Sequence, residues 1–241
     1  MRRRGRIGLL ICLLLACGGL WGCRSGPDVE PLPEQAREAV VLVHGMGRTP
    51  LSMAALEHDF EAAGYRVLNW GYSSWCCTVA ELAGRLRADL DTWRGDADRI
   101  HFVGHSLGNI IVRQLLAEDN ELPAGRVVML APPNQGSADA DRYTRWLGNL
   151  LKPLPELRTD STGSVRRIPL RSDIEVGIIA GDRDGKVTVA ETRLEGARAH
   201  VVVPAAHSFI MLRQDVRTLV LGFVRAGRFA PEPPGARRRG D

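Results

Sequence analysis

Short, continuous runs of apolar residues alternate with amphipathic helical patterns from residue 39 onward. The strand-like runs are Ala39–Val43, Tyr65–Trp70, Ile100–Val103, Arg126–Leu130, Val176–Ala180 and His200–Val203. Helical spacing of apolar residues is found at 53–63, 79–93, 107–118 and 209–224. Strands that are apolar throughout are typical of parallel sheets covered on both faces. The pattern predicts an α/β fold with a mostly parallel central sheet and helices on both faces.

The chain of 241 residues is 44% hydrophobic and 25% charged, a composition typical of a globular protein. Its length suits one such domain, which we expect over residues 39–228. A long interruption at 132–173, after the fourth strand, predicts a small cap or insertion. Residues 23–38 are a Pro-rich linker, and 229–241 are expected to be a disordered basic tail.

The net charge of +4 raises the question of nucleic-acid binding. Four of the basic residues, Arg2, Arg3, Arg4 and Arg6, precede a long apolar run near the N-terminus. Without them the chain carries 28 basic and 28 acidic residues. The body is therefore balanced in charge, and no nucleic-acid partner is expected.

Residues 1–22 have the features of an export signal: a basic start, the apolar run Ile7–Leu15 and then small residues. The segment LWGC, which ends at Cys23, resembles a bacterial lipobox in which the cysteine is lipidated, although Trp21 is bulky for its position. LLAC, which ends at Cys17, is a weaker second candidate. An uncleaved membrane anchor and an ordinary signal peptide are the alternatives. We expect an exported protein of the bacterial cell envelope, tethered to the membrane by its N-terminus on the periplasmic face or at the outer membrane.

The body contains only one pair of cysteines, the adjacent Cys76 and Cys77. Adjacent cysteines lack the spacing of metal ligands, and a bond between them closes a small ring. The sequence therefore favours two free thiols at a loop–helix junction, with a disulfide as the alternative, and no metal site.

The third apolar run leads into the sequence GHSLG, from Gly104 to Gly108. A sharp strand-to-helix turn forces its middle residue into strained dihedrals with the side chain pointing outward. Gly104 and Gly108 lack the Cβ atoms that would collide with the neighbouring strand and helix. The pattern predicts that Ser106 is a nucleophile, with His105 supporting the turn. A simple helix-capping turn is the alternative.

A serine nucleophile needs a base, and the base needs an orienting acid, in the chain order Ser, acid, His. Of the two histidines after Ser106, His200 opens a strand and is predicted to be structural. His207 lies just past that strand and is the candidate base. Asp182 and Asp184 both follow the fifth strand, and an Asp-Gly turn favours Asp184 as the acid, with Asp182 as the alternative.

Two backbone N–H groups are needed to hold a developing oxyanion. The amide of Leu107, directly after the serine, is one candidate. The second is the amide of Met46 in the loop after the first strand, where Gly45 allows the backbone to approach closely. His44 is predicted to brace this loop rather than to act as an acid or base.

The segments VHGMG, GHSLG, DGKV and AAHSF follow one another over roughly residues 39–225. In this order they resemble the α/β-hydrolase fold lipase/esterase family, the bacterial lipase-like serine hydrolases. The segment LAPPNQGS, at 130–137, is similar to one common in those members. The resemblance implies their sheet, a triad of Ser106, Asp184 and His207, and no metal or organic cofactor. The oxyanion loop departs from the HGGG form by reading HGMG.

These features predict a serine hydrolase that cleaves carboxylic esters of lipid-like or other small molecules through an acyl-enzyme. Phospholipids, thioesters and amides remain open as substrates. The aromatic residues Trp70, Tyr72, Trp75 and Trp146 could line an acyl pocket, or they could be ordinary core and surface residues. The alternative function is an envelope binding lipoprotein on the same scaffold, with weak catalysis or none.

Overall fold

The computed structural model describes residues 37–148 and 150–229. The predicted export signal, the lipidation candidate Cys23, the linker up to residue 36 and the tail from residue 230 lie outside the described residues. In the part of the chain that is described, no helix combines the length and apolar character needed to cross a membrane.

Six parallel strands form one sheet: β1 (Glu38–Val43), β2 (Arg66–Trp70), β3 (Arg99–His105), β4 (Ala124–Leu130), β5 (Val176–Gly181) and β6 (Ala199–Val203). Their order across the sheet is β2-β1-β3-β4-β5-β6. The chain first steps from β1 to β2 and then crosses to the other side of β1 to form β3. Ligands of open parallel sheets bind at such a switch point, beyond the carboxyl ends of the strands.

Five helices accompany the sheet: α1 (Ala54–Ala62), α2 (Val79–Trp93), α3 (Leu107–Glu118), α4 (Ala138–Leu147) and α5 (Gln214–Ala226). Helices α2 and α3 pack on one face, while α1 and α5 pack on the other. Along β1, Val41 faces the first pair of helices, whereas Val40 and Leu42 face the second pair, and all three are fully buried. Burial on both faces explains the continuous apolar strands. The predicted α/β fold is confirmed.

The last predicted helix, 209–224, is in fact two elements. A 3-10 turn at His207–Leu212 is followed by α5, and Arg213 between them is extended, with φ −71° and ψ 131°. Ile210 from the turn and Val216 from α5 pack in the same core. The apolar spacing therefore continues across the break, and periodicity alone does not detect it.

The segment between β4 and β5 carries α4 and two 3-10 turns, at Leu154–Leu157 and Val165–Arg167. Arg113 of α3 fixes this segment to the body, because its guanidinium donates to Asn134 Oδ1 at 2.9 Å and to the Ile168 carbonyl. Burial lowers the pKa of Arg113 to about 10. The inserted segment is thus anchored close to the helix that follows Ser106.

Candidate active site

Ser106 lies between the end of β3 and the start of α3, with φ 51° and ψ −120°. A positive φ in a residue with a side chain costs about 1–3 kcal/mol, so the surrounding structure must hold it. The Asn109 side chain donates to the carbonyls of Ser106 at 3.1 Å and Leu130 at 2.9 Å. These bonds tie the turn to β4.

The turn is also closely approached by its neighbours. A Cβ on Gly108 would lie 2.1 Å from the Val43 carbonyl oxygen, and one on Gly104 would lie 2.4 Å from Asn109 Oδ1. Any larger residue would push α3 away from β1 or from the end of β3. The two glycines therefore let the helix begin directly above the sheet.

Three side chains that are distant in sequence meet at this turn. His207 Nε2 lies 3.0 Å from Ser106 Oγ, and His207 Nδ1 lies 2.7 Å from Asp184 Oδ2. The carboxylate can only accept, so Nδ1 carries a proton, and Nε2 of the neutral ring can accept the serine proton. The other oxygen, Asp184 Oδ1, accepts from the backbone N–H groups of Lys186 at 2.8 Å and Val187 at 2.9 Å. The Asp184 side chain is fully buried.

The two alternative residues lie elsewhere. The Asp182 side chain is about half exposed (51%) and faces Arg183 at 3.9 Å. His200 Nε2 lies 2.9 Å from Thr192 Oγ1. Asp184, rather than Asp182, therefore contacts His207.

His105 supports His207 from the buried side. Its Nε2 lies 2.9 Å from the His207 carbonyl oxygen, so this nitrogen must donate the hydrogen bond. Burial, followed by the proximity of His207, holds the pKa of His105 well below its usual value. A neutral His105 is thus a fixed hydrogen-bond donor that positions the backbone of His207.

The loop after β1 is held against the turn by the loop after β2. His44 is fully buried, donates from Nδ1 to the Gly45 carbonyl at 2.9 Å and stacks on Tyr72 at 4.2 Å. Burial lowers the pKa of His44, which favours its neutral form. Tyr72 Oη donates to the His44 carbonyl at 2.7 Å, and Ser74 Oγ accepts from the Gly47 amide at 2.8 Å.

The backbone amides of Met46 and Leu107 are the predicted oxyanion donors. A Cβ on Gly45 would lie 3.1 Å from the Cβ of Ser106, so the two loops are in contact. Neither amide donates to another group among residues 37–148 and 150–229. Met46 lines the same cavity as Ser106.

The prediction of two free thiols is wrong. Cys76 and Cys77 form a disulfide bond with each other. The chain bends at residues 74–77. The Cα atoms of the two cysteines are 3.8 Å apart, closer than is usual for disulfide-bonded residues, which is why the sequence argued against this bond. Among the described residues, no group of three or more His, Cys, Asp or Glu side chains is placed to hold a metal ion.

A cavity of about 190 Å³ opens beside Ser106 and His207. Its apolar wall comes mainly from the inserted segment, namely Ala140, Tyr143, Leu147, Leu151, Leu154 and Leu157. None of Trp70, Tyr72, Trp75 and Trp146 lines this cavity, which favours the alternative that they are ordinary core and surface residues. Trp70 and Tyr72 stack on each other at 4.7 Å beneath the loops, while Trp75 and Trp146 are 49% and 76% exposed.

Several residues that build the site were not found by sequence reasoning. They are Asn109, Ser74 and the leucines of the cavity wall. Each acts through a contact with a segment distant in sequence, or through burial, and no local pattern indicates either. The excess of leucine at 147–157 was the one available signal for the wall.

A sequence profile described as the alpha/beta hydrolase family matches residues 40–234. The chain belongs to the alpha/beta hydrolase family. No curated protein sequence matches it. This family assignment agrees with the parallel sheet and with the position of the turn at its carboxyl edge.

Solved structures share the fold at low sequence identity. The mature lipase of Bacillus licheniformis is 20% identical, with a TM-score of 0.64 over 83% of this chain and 96% of that one. A metagenomic carboxyl esterase is 20% identical, with a TM-score of 0.60 over 76% and 69%. The phospholipase PlaB of Legionella pneumophila is 22% identical, with a TM-score of 0.55 over 65% of this chain. The chain covers 44% of PlaB.

Proposed function

We propose that this alpha/beta hydrolase is a serine esterase that cleaves carboxylic esters through an acyl-enzyme. The observation that carries the proposal is the hydrogen-bonded series from Ser106 Oγ to His207 Nε2 at 3.0 Å and from His207 Nδ1 to Asp184 at 2.7 Å. Both distances lie within the reach needed for proton transfer. The lipase and carboxyl esterase folds similar to this chain are consistent with esters as substrates.

In the first step, Ser106 Oγ bonds to the ester carbonyl carbon while His207 takes the serine proton. The carbonyl oxygen becomes an oxyanion, which the amides of Met46 and Leu107 hold; one such donor contributes about 3–4 kcal/mol to the barrier reduction. The bond to the alcohol oxygen then breaks, and His207 gives its proton to that oxygen. Water, deprotonated by His207, attacks the acyl-enzyme and releases the acid and free Ser106. Asp184 orients the imidazole and stabilises its cation.

A fluorophosphonate probe tests the proposal, because it reacts with activated serines. We expect labelling at Ser106, no labelling of Ser106→Ala and a fall in ester turnover of about 10³-fold or more in that variant. Ser172→Ala, which changes an exposed serine outside the cavity, is the control and should label normally. A folded protein that neither labels nor cleaves any of a panel of acyl esters, lysophospholipids and thioesters would contradict the proposal and favour the alternative of a binding lipoprotein.

A further inference from the structure

The cavity beside Ser106 has two parts that differ in chemistry. Its deep wall is apolar and buried, and includes Leu151, Leu154 and Val187. Two cations, Arg48 and Lys186, also line it. Arg48 is half-buried and Lys186 is exposed, so both are more accessible to solvent than Leu151, Leu154 and Val187. Such a cavity suits a molecule with an apolar part and a charged part.

Within residues 37–148 and 150–229, neither of these two cations forms an ion pair, whereas Arg126, for example, pairs with Glu175 at 2.6 Å. The Arg48 guanidinium lies 6.0 Å from the centre of the Phe209 ring. Asp139 is an acid in the same lining, and it forms no ion pair within that part of the chain. Among these three residues, the lining therefore carries two positive charges and one negative charge.

The charges of both cations also act on His105, next to Ser106. The pKa of His105 is lowered chiefly by burial and by His207, and the charges of Arg48 and Lys186 add to the effect. His105 lies directly beside Ser106. Ser106, Arg48 and Lys186 line the same cavity, so a substrate that fills this cavity at Ser106 would also meet the two cations.

We propose, on the basis of the esterase function proposed above, that the site takes single-chain esters whose alcohol part carries an anionic group. The apolar wall binds the acyl chain, and Arg48 and Lys186 bind a phosphate or carboxylate of the alcohol part. A cavity of 190 Å³ is smaller than the range of about 300–1,000 Å³ that holds drug-sized ligands, which favours one short chain. The bonds made and broken at Ser106 are those of the proposed ester hydrolysis.

The test compares three soluble esters with the same short acyl chain, on glycerol, on glycerol phosphate and on a hydroxy acid. We expect kcat/KM to be about tenfold higher for an anionic ester than for the neutral one, because charge-assisted hydrogen bonds are the stronger kind. The preference should shrink as the ionic strength rises, since both cations are accessible to salt. The two anionic esters distinguish phosphate from carboxylate recognition.

Variants assign the preference to the two cations. In Arg48→Gln and Lys186→Gln, the ratio of kcat/KM for the anionic ester to that for the neutral ester should fall about fivefold or more. Arg142→Gln is the matched control, because Arg142 is exposed on α4 and does not line the cavity, so its ratio should equal the wild-type ratio. Equal kcat/KM values for all three esters, or unchanged ratios in both cavity variants, would overturn the inference. Failure of the esterase function is a different result, in which the folded wild type cleaves none of the three esters, or Ser106→Ala cleaves them as well as the wild type.

Discussion

His207 is held by two hydrogen bonds, one to its ring and one to its backbone, and each bond leads to a separate prediction. Asp184 accepts from its Nδ1, and His105 donates to its backbone carbonyl. The contact with Asp184 sets the tautomer of the imidazole ring, while the contact with His105 positions the backbone from which the ring projects. Both must hold for Nε2 to face Ser106.

Replacing the acid separates the two candidate aspartates. In Asp184→Asn, kcat for ester cleavage should fall by about 10⁴-fold, because the amide favours the wrong imidazole tautomer. Asp182→Asn should stay within a few-fold of wild type, since Asp182 faces solvent and Arg183. Steady-state kinetics with circular dichroism as the folding check decides between them, and the opposite ranking would remove Asp184 from the mechanism.

The lowered pKa of His105 predicts how stability responds to acid. In the unfolded chain His105 takes up a proton near pH 6.5, whereas in the folded protein it stays neutral to lower pH. The contribution of His105 to the free energy of unfolding is therefore full above about pH 6.5 and is lost as the pH falls toward the folded-state pKa. In His105→Gln, which keeps an N–H donor but does not titrate, the fall of Tm between pH 7 and pH 5 should be smaller. His44 has a lowered pKa as well and leaves part of the fall in place. An equally steep fall in both proteins would contradict this account.

At the scale of elements, the geometry of the site depends on how closely three segments of the chain pack against one another. The β3–α3 turn contacts the loop after β1 at Gly45, and that loop is hydrogen-bonded to the side chains of Ser74 and Tyr72 in the loop after β2. Substitutions that add or remove a few atoms at these contacts should therefore have large effects on stability or on kcat.

Gly108→Ala tests the approach of α3 to β1. The added methyl group would lie 2.1 Å from the Val43 carbonyl oxygen, so we expect a loss of about 1–3 kcal/mol in the free energy of unfolding. Gly84→Ala is the matched control: Gly84 lies within α2, and a Cβ there meets nothing within 4 Å. This change should stabilise the protein by about 0.5–1 kcal/mol. Urea unfolding measures the free energy of unfolding of both variants. A Gly108→Ala variant as stable as Gly84→Ala would show that the turn accommodates the methyl group without cost.

Ser74→Ala tests the link between the two loops. It removes the acceptor of the Gly47 amide bond at 2.8 Å, next to the proposed oxyanion donor Met46. We expect kcat to fall about tenfold, as for the loss of one hydrogen bond of about 1.4 kcal/mol in the transition state. The neighbouring Ser73→Ala, an exposed position, should retain wild-type kcat. Equal kcat values in the two variants would show that this bond does not position the loop.

At the scale of the whole molecule, the sheet separates the start of the described chain from the site. Residue 37 precedes the amino end of β1, whereas Ser106 lies at the carboxyl edge of the sheet. The 14 residues from 23 to 36 can span at most about 50 Å. If Cys23 carries a lipid, that span limits how far from the membrane the cavity can lie.

The tether itself remains a prediction that mass spectrometry can test. The mature protein from bacterial cells should begin at Cys23 with a diacylglycerol group on its sulfur. In Cys23→Ala this group should be absent, and the protein should leave the membrane fraction. A cleaved but unmodified N-terminus would contradict the lipoprotein proposal, and an intact signal would indicate the membrane anchor.

Local patterns in the sequence determined the parallel sheet and the turn around Ser106. Each of these is a matter of hydrophobic period or turn chemistry within about ten residues, and such information is present before the chain folds. The structure brings Ser106, Asp184 and His207 together, as the order Ser, acid, His of the sequence motifs suggested.

The tertiary structure alone decided which aspartate contacts His207, what forms the cavity wall and that Cys76 bonds to Cys77. It also ended the 3-10 turn at Leu212 and began α5 at Gln214, where the apolar period runs on without interruption. These outcomes depend on the direction in which each side chain points and on contacts between segments distant in sequence, such as Ser106 and His207, which are 101 residues apart. Neither is encoded in a short window of sequence, because both arise only when the strands and helices pack.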